Sequence, residues 1–228
     1  MKSILYLAAT VLLCSSCFHV NTNWTGSKNA IKGEGPVVTK SFDLKDFDQI
    51  VINGHADATF TQSETYEVTL RAQENVFDYV DYRVEGTTLI LEMKDKRSVR
   101  STDYDVTIQA PALKSLQVNG AADFDIPAGL TSGDDLRIEV NGAGDLTFNA
   151  LRCNDLTILA NGASDVDLTK VNVQKLKVEV NGAGDVNIDG GAAEADLTVN
   201  GAGDIDASGL KVAGKVSKHA AGIASIKI

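Results

Sequence analysis

Histidine and cysteine are nearly missing from this chain of 228 residues, with three of each. His19, His55 and His219 lie far from one another, so neither a zinc-ligand spacing nor a Ser-His-Asp arrangement can be read from them. Cys14 and Cys17 sit together near the start and Cys153 stands alone, which excludes a disulfide framework. Basic residues are the minority, 21 Lys and Arg against 31 Asp and Glu, for a formal net charge of −10. So acidic a chain repels nucleic acid and anionic headgroups over a Debye length, which excludes nucleic-acid binding and direct polybasic attachment to membranes. The longest apolar run, Ile4 to Leu13, has ten residues and is too short to span a bilayer.

What the chain has in place of these is a repeat. Asn119-Gly120-Ala121-Ala122-Asp123 returns as Asn141-Gly142-Ala143-Gly144-Asp145 and Asn161-Gly162-Ala163-Ser164-Asp165. Asn181-Gly182-Ala183-Gly184-Asp185 and Asn200-Gly201-Ala202-Gly203-Asp204 complete the set. The asparagines at 119, 141, 161, 181 and 200 are spaced by 22, 20, 20 and 19 residues, and a fixed period near 20 is the mark of a solenoid.

Alternation inside each unit gives the secondary structure. Leu136, Ile138 and Val140 precede one Asn, Leu156, Ile158 and Ala160 the next, and Leu176, Val178 and Val180 the one after. Apolar pairs follow each turn, such as Leu146 and Phe148 or Val186 and Ile188, with polar residues between them. Period-2 alternation means strands with one buried face, and Asn-Gly supplies residues that accept positive φ at a turn. A meander of hairpins is the competing reading. It leaves the near-identity of the turns unexplained, whereas a coil stacked on itself puts equivalent residues about 4.8 Å apart, where Asn can bond to Asn in the next layer. The predicted fold class is all-β, a parallel β-helix or solenoid of about 20-residue coils.

The rest of the chain fits around these coils. Residues 1–16 read as a lipoprotein signal peptide: Lys2, the short apolar core, then Cys14-Ser15-Ser16-Cys17, which resembles a lipobox with Cys17 as the lipidated first residue. Removal of Lys2 leaves 20 basic against 31 acidic residues, a net charge of −11. Residues 17–36, rich in Asn, Thr, Ser, Gly and Lys, read as a flexible tether, and 37–228 as a single solenoid domain. Asn53-Gly54-His55-Ala56-Asp57 is an imperfect earlier copy of the turn, and the 66 residues from Asn53 to Asn119 would hold a little over three coils. Residues 74–80 suggest one short helix, and 95–103 an exposed loop. The regular repeats occupy 119–207, and the lysine-bearing segment 210–228 reads as a C-terminal cap. Cys153 matches Val173 in the repeat frame, as a small core residue would.

Candidate site residues are the two rows formed by the turns: Asn119, Asn141, Asn161, Asn181 and Asn200, and Asp123, Asp145, Asp165, Asp185 and Asp204. Stacked carboxylates repel by about 0.9 kcal/mol per neighbour even in water. Three readings remain open: each Asp caps backbone N–H groups of its own turn, a cation such as Ca²⁺ bridges neighbours, or the row contacts a ligand. The turn superficially resembles the Ca²⁺-binding nonapeptide repeat, but its Asp placement and period both differ. Equivalent aspartates do not divide acid and base roles, so no catalytic residue, metal or cofactor is assigned. The alternative is a β-helix carbohydrate-active enzyme of lyase or hydrolase type, which would show a cation beside non-equivalent carboxylates.

The strand before Asn53-Gly54, Asp78-Tyr79-Val80, Gly86-Thr87-Thr88-Leu89, Pro111-Ala112-Leu113-Lys114-Ser115-Leu116 and the Asn-Gly-Ala-Gly-Asp turns carry a resemblance. From about Phe42 to Ile228 the chain resembles the auto-transporter adhesin head domain family, the GIN domain, common among Bacteroidetes lipoproteins. The resemblance implies a right-handed β-helix outside the cytoplasm and a role in adhesion, with no agreed catalytic residues to transfer; the long regular solenoid surface would serve a glycan or envelope protein. It implies a lipid-anchored outer-membrane protein, and Phe18-His19-Val20-Asn21, which lacks acidic residues, favours the periplasmic face. Oligomeric state is not legible in the sequence.

Overall fold

The computed structural model of the protein describes residues 30–100 and 103–228. The expected signal segment 1–16, the lipidation site Cys17 and residues 18–29 lie outside the described residues.

Parallel strands stacked in register make up most of the domain. Gln49–Gln62, Ser115–Ile126, Leu136–Asn149, Asp155–Gly182, Val186–Gly201 and Asp204–Val212 carry the successive turns. Asn53 lies opposite Asn119, Asn119 opposite Asn141, Asn141 opposite Asn161, and Asn181 opposite Asn200. The period of 20 is therefore one coil, and the hairpin reading is out. Asp155–Gly182 runs continuously through two rungs. A shorter side of each coil is formed by Leu130–Thr131, Leu151–Arg152 and their successors near 171–173, 190–192 and 210–212.

Burial follows the alternation that predicted it. Ile50, Leu116, Ile138, Ile158, Val178 and Leu197 occupy equivalent positions and are fully buried. Each such side chain contributes about 1.5–3 kcal/mol by leaving water, so the core is a set of columns along the coil axis. Cys153 falls in the same core, 6 % exposed and one position beyond the paired Arg152 and Asn172, as its match to Val173 predicted. Burial pushes its thiol up to about 11, which removes it as a nucleophile near neutrality.

The N-terminal part departs from the expected coils. Asn119 stacks directly on Asn53, so the stretch of chain between them does not form three intervening coils. They make an excursion that covers the other side of Gln49–Gln62. Thr88–Met93 pairs in parallel with its first half and Tyr104–Ala110 with its second. Antiparallel strands then seal these two: Val80–Glu85 against Thr88–Met93, and Val37–Phe42 against Glu67–Gln73 against Tyr104–Ala110. The expected short helix is a 3-10 helix, Glu74–Tyr79.

Residues 30–36 also depart from expectation. Ile31 is buried, Ile31–Lys32 pairs with Val99–Arg100, and Glu34 N–H donates to Asn75 Oδ1 at 2.8 Å. The tether boundary set at Pro36 is thus too late, because one apolar residue amid polar ones was enough to dock the segment. At the other end, Val216–Gly222 and Ser225–Lys227 continue the stack as one more rung, with Gly222 opposite Gly201. Lys218 stands opposite Leu197, a lysine in a core column. An inward-register charge of this kind stops further strands from adding to the open edge.

Candidate functional site

The two predicted rows flank one corner of the coil, and the backbone geometry of that corner explains both. The glycine after each Asn lets successive layers approach closely. At Gly120 φ is +144°, and a Cβ built there would overlap the Gly54 carbonyl. Gly182 does not have a left-handed φ. Its requirement is space alone, since a Cβ would overlap the Gly162 carbonyl oxygen.

The asparagines form a one-directional ladder. Asn200 Nδ2 donates to Asn181 Oδ1, Asn181 to Asn161, Asn161 to Asn141 and Asn141 to Asn119, each at 3.0 Å. Asn119 donates to Asn53 Oδ1 at 2.9 Å, and Asn53 to Glu92 Oε2 at 2.8 Å. Glu92 occupies the asparagine position of the covering strand, opposite Asn53. A carboxylate only accepts, so it ends a run of amides whose donors all point toward it. Arg83 holds the other oxygen, Oε1, at 2.6 Å. These two partners, Arg83 first, hold the Glu92 carboxyl below the usual range. At the opposite end the register position is Ala221, which neither donates nor accepts.

Glutamates beside the ladder use the second amide hydrogen. Asn141 and Asn181 also donate to Glu139 Oε1 and Glu179 Oε1, both at 3.0 Å. The amides are the leading reason that both carboxyls titrate below the ordinary glutamate range.

The aspartates behave differently from the expected self-capping. Asp123 Oδ1 accepts the backbone N–H of Asp145 at 3.0 Å, Asp165 that of Asp185 at 3.1 Å, and Asp185 that of Asp204 at 3.0 Å. Each therefore caps the next layer, not its own turn. The reason lies in the backbone ladder. Direct pairing skips these positions between Asp123 and Asp145, between Asp165 and Asp185, and between Asp185 and Asp204. Between Asp145 and Asp165 it runs unbroken, and no N–H is left for the Asp145 side chain. The Asp145 carboxyl is shifted upward, by burial first and then by Asp123, Asp165 and Asp167.

Beyond the corner, the same sheet carries further polar columns. Asp167, Asn187, Asp189, Asp206 and Ser208 line an open groove of about 400 Å³. Among the described residues no group of three or more His, Cys, Asp or Glu side chains is placed to hold a metal ion. His55 faces solvent, with Nδ1 2.9 Å from the Ala121 carbonyl oxygen, so it is an irregular turn residue.

Reasoning from the repeat alone missed Glu92, Arg83, Glu139 and Glu179. One signal for Glu92 was present: Leu89-Ile90-Leu91-Glu92 matches Ile50-Val51-Ile52-Asn53 in alternation, with Glu where the motif has Asn.

A stacked parallel coil with columns of identical turn residues defines the protein as a parallel β-solenoid. The chain belongs to the family described as "Putative auto-transporter adhesin, head GIN domain", which matches residues 46–228. Crystal structures of similar fold are described as putative adhesins. That from Bacteroides fragilis NCTC 9343 is 23% identical, covers 87% of this chain and 99% of its own, and has a TM-score of 0.73. That from Parabacteroides merdae ATCC 43184 is 22% identical, with coverages of 88% and 99% and a TM-score of 0.74. A third, from Parabacteroides distasonis ATCC 8503, is 22% identical, covering 87% and 99% with a TM-score of 0.73. Comparison with curated proteins finds no match.

Proposed function

We propose that the protein is a non-catalytic cell-envelope lipoprotein whose solenoid wall is an adhesive surface for a glycan or an envelope protein. The observation that carries this reading is the in-register wall itself, where equivalent polar side chains recur at every coil on a fixed scaffold. Repeated, equivalent groups suit a long ligand with its own repeat, and they lack the paired, unlike carboxylates that glycoside chemistry requires. Family membership supports an adhesin-like role at the envelope or surface. The Ser15-Ser16-Cys17 site supports a lipid anchor at Cys17, and the absence of acid in Phe18-His19-Val20-Asn21 supports the periplasmic face of the outer membrane.

Two experiments test the reading. Glycan-array binding and envelope-protein capture with the lipid-anchored protein should show saturable binding, and incubation with the bound glycan should leave it uncut. Shortened or unsaturated products would sink the non-catalytic part. Cys17→Ala should release the protein from membrane fractions, and continued sedimentation with palmitate labelling would remove the anchor assignment.

A further inference from the structure

A second cavity lies at the foot of the asparagine ladder. It has a volume of about 410 Å³ and is lined by Asn53, Glu92, Met93, Lys96, Arg97 and Asn119. That volume falls within the roughly 300–1,000 Å³ of small-ligand sites. The lining combines amides, one carboxylate and two cations, in a protein whose overall charge is negative.

The cations are placed by an unusual backbone. Asp95 and Lys96 both adopt left-handed conformations, φ +56° and +51°, though neither is glycine. Consecutive residues of this kind are strained, and such strain gathers at ligand clamps. The turn is tied down by Arg97 N–H donating to the Lys94 carbonyl and Lys94 Nζ donating to the Asp78 carbonyl at 2.8 Å. Arg97 lies over the Tyr79 ring at 4.9 Å, and its nearest carboxylate is Asp95 at 3.8 Å. Lys96 forms no ion pair among the described residues. Both Glu92 oxygens are engaged, one by Asn53 and one by Arg83, which Glu92 shares with Asp81 and Glu85.

We propose that this cavity binds a carboxylated saccharide, a uronic-acid unit, with Lys96 and Arg97 holding the carboxylate. Asn53, Asn119 and the remaining lone pairs of Glu92 meet hydroxyl groups. A planar carboxylate suits the guanidinium fork, and a single negative charge tolerates the neighbouring Glu92 better than a dianionic phosphate does. The proposal names a ligand class for the adhesive reading above, but it is tested on the full chain in solution without membrane or partner, so its failure leaves the envelope reading standing.

The test is calorimetric titration with D-galacturonate, D-galactose and inorganic phosphate. Galacturonate should bind saturably and weaken with added salt, with galactose weaker by roughly fivefold, the scale of one partly exposed charge pair. Lys96→Asn keeps a residue that accepts the left-handed turn, and with Arg97→Gln it should weaken galacturonate by a similar factor while the melting midpoint holds. Equal affinity for galactose, tighter binding of phosphate, affinity unchanged in both variants, or no saturable galacturonate binding would each overturn the assignment. Salt dependence in the unaltered chain decides the matter even where a variant folds poorly.

Discussion

The amide column and the carboxylate column stand on either side of the same corner, yet they are held by opposite logic. An amide donates and accepts, so each Asn satisfies the one before it and is satisfied by the one after, and the column propagates itself. A carboxylate accepts only, so each Asp is useful where the backbone leaves an N–H free and is a liability where it does not. Asp165 and Asp185 cap the next layer, whereas Asp145 caps nothing and faces its neighbours' charge. Identical residues at identical repeat positions thus differ in energetic role because the backbone ladder between them differs.

The change that should harm both columns together is the largest. Gly182→Val forces a side chain into the Gly162 carbonyl and pushes two layers apart, so a loss of about 3 kcal/mol is expected, at the upper end for overpacking. Denaturant melting measures it, and an unchanged midpoint would refute the close-approach argument. Next is the interior of the amide column. Asn161→Ala leaves the Asn181 donor and the Asn141 acceptor unpaired in half-buried surroundings, at a cost of about 1–3 kcal/mol. Asn200→Ala removes only one ladder bond and should cost distinctly less; equal losses would mean that the column does not act as a chain.

Within the carboxylate column the effects are smaller and depend on position. Asp185→Ala should cost about 0.5–2 kcal/mol, the scale of a lost cap, while Asp185→Asn keeps an acceptor and should be mild. Chelator should leave the melting midpoint unchanged; a drop that Ca²⁺ restores would overturn the capping account. The smallest effect is the most diagnostic, because its sign reverses between columns. Glu139 is held below its usual range, so its contribution is complete above the ordinary glutamate pKa of about 4.3 and is lost as pH falls through the lowered folded value. Asp145 is held above its usual range, so its cost is present at pH 7 and fades as pH falls through the raised value. Glu139→Gln should therefore flatten the acid limb of the stability curve, and Asp145→Asn should slightly raise the midpoint at pH 7. The same sign for both would show that the two columns share one electrostatic environment.

The coils were legible because a period of 20 and a period of 2 coincide over residues 119–207, and both come from the same physical cause, stacking of half-buried strands. The amide ladder followed from the identity of the turns. The start of the domain was not legible. Residues 63–113 leave the coil to cover it, and antiparallel covering strands such as Glu67–Gln73 show the same alternation as coil strands. Alternation reports which face is buried and says nothing about which neighbour pairs along the edge. The aspartates were half legible. Their capping role could be inferred from residue type, but which N–H they cap depends on where the backbone ladder opens, and no residue pattern marks those places.

The equivalence of the rungs has a consequence for how such a protein changes length. Asn141 meets Asn161 with the same bond and register that Asn119 uses to meet Asn141. A tandem duplication of the twenty residues 142–161 would offer the old neighbours the same surfaces they already fit. The covering strands at one end and Lys218 at the other would remain as terminators. Reach along the axis is therefore a quantity that gene duplication can adjust by about one strand spacing of 4.8 Å at a time.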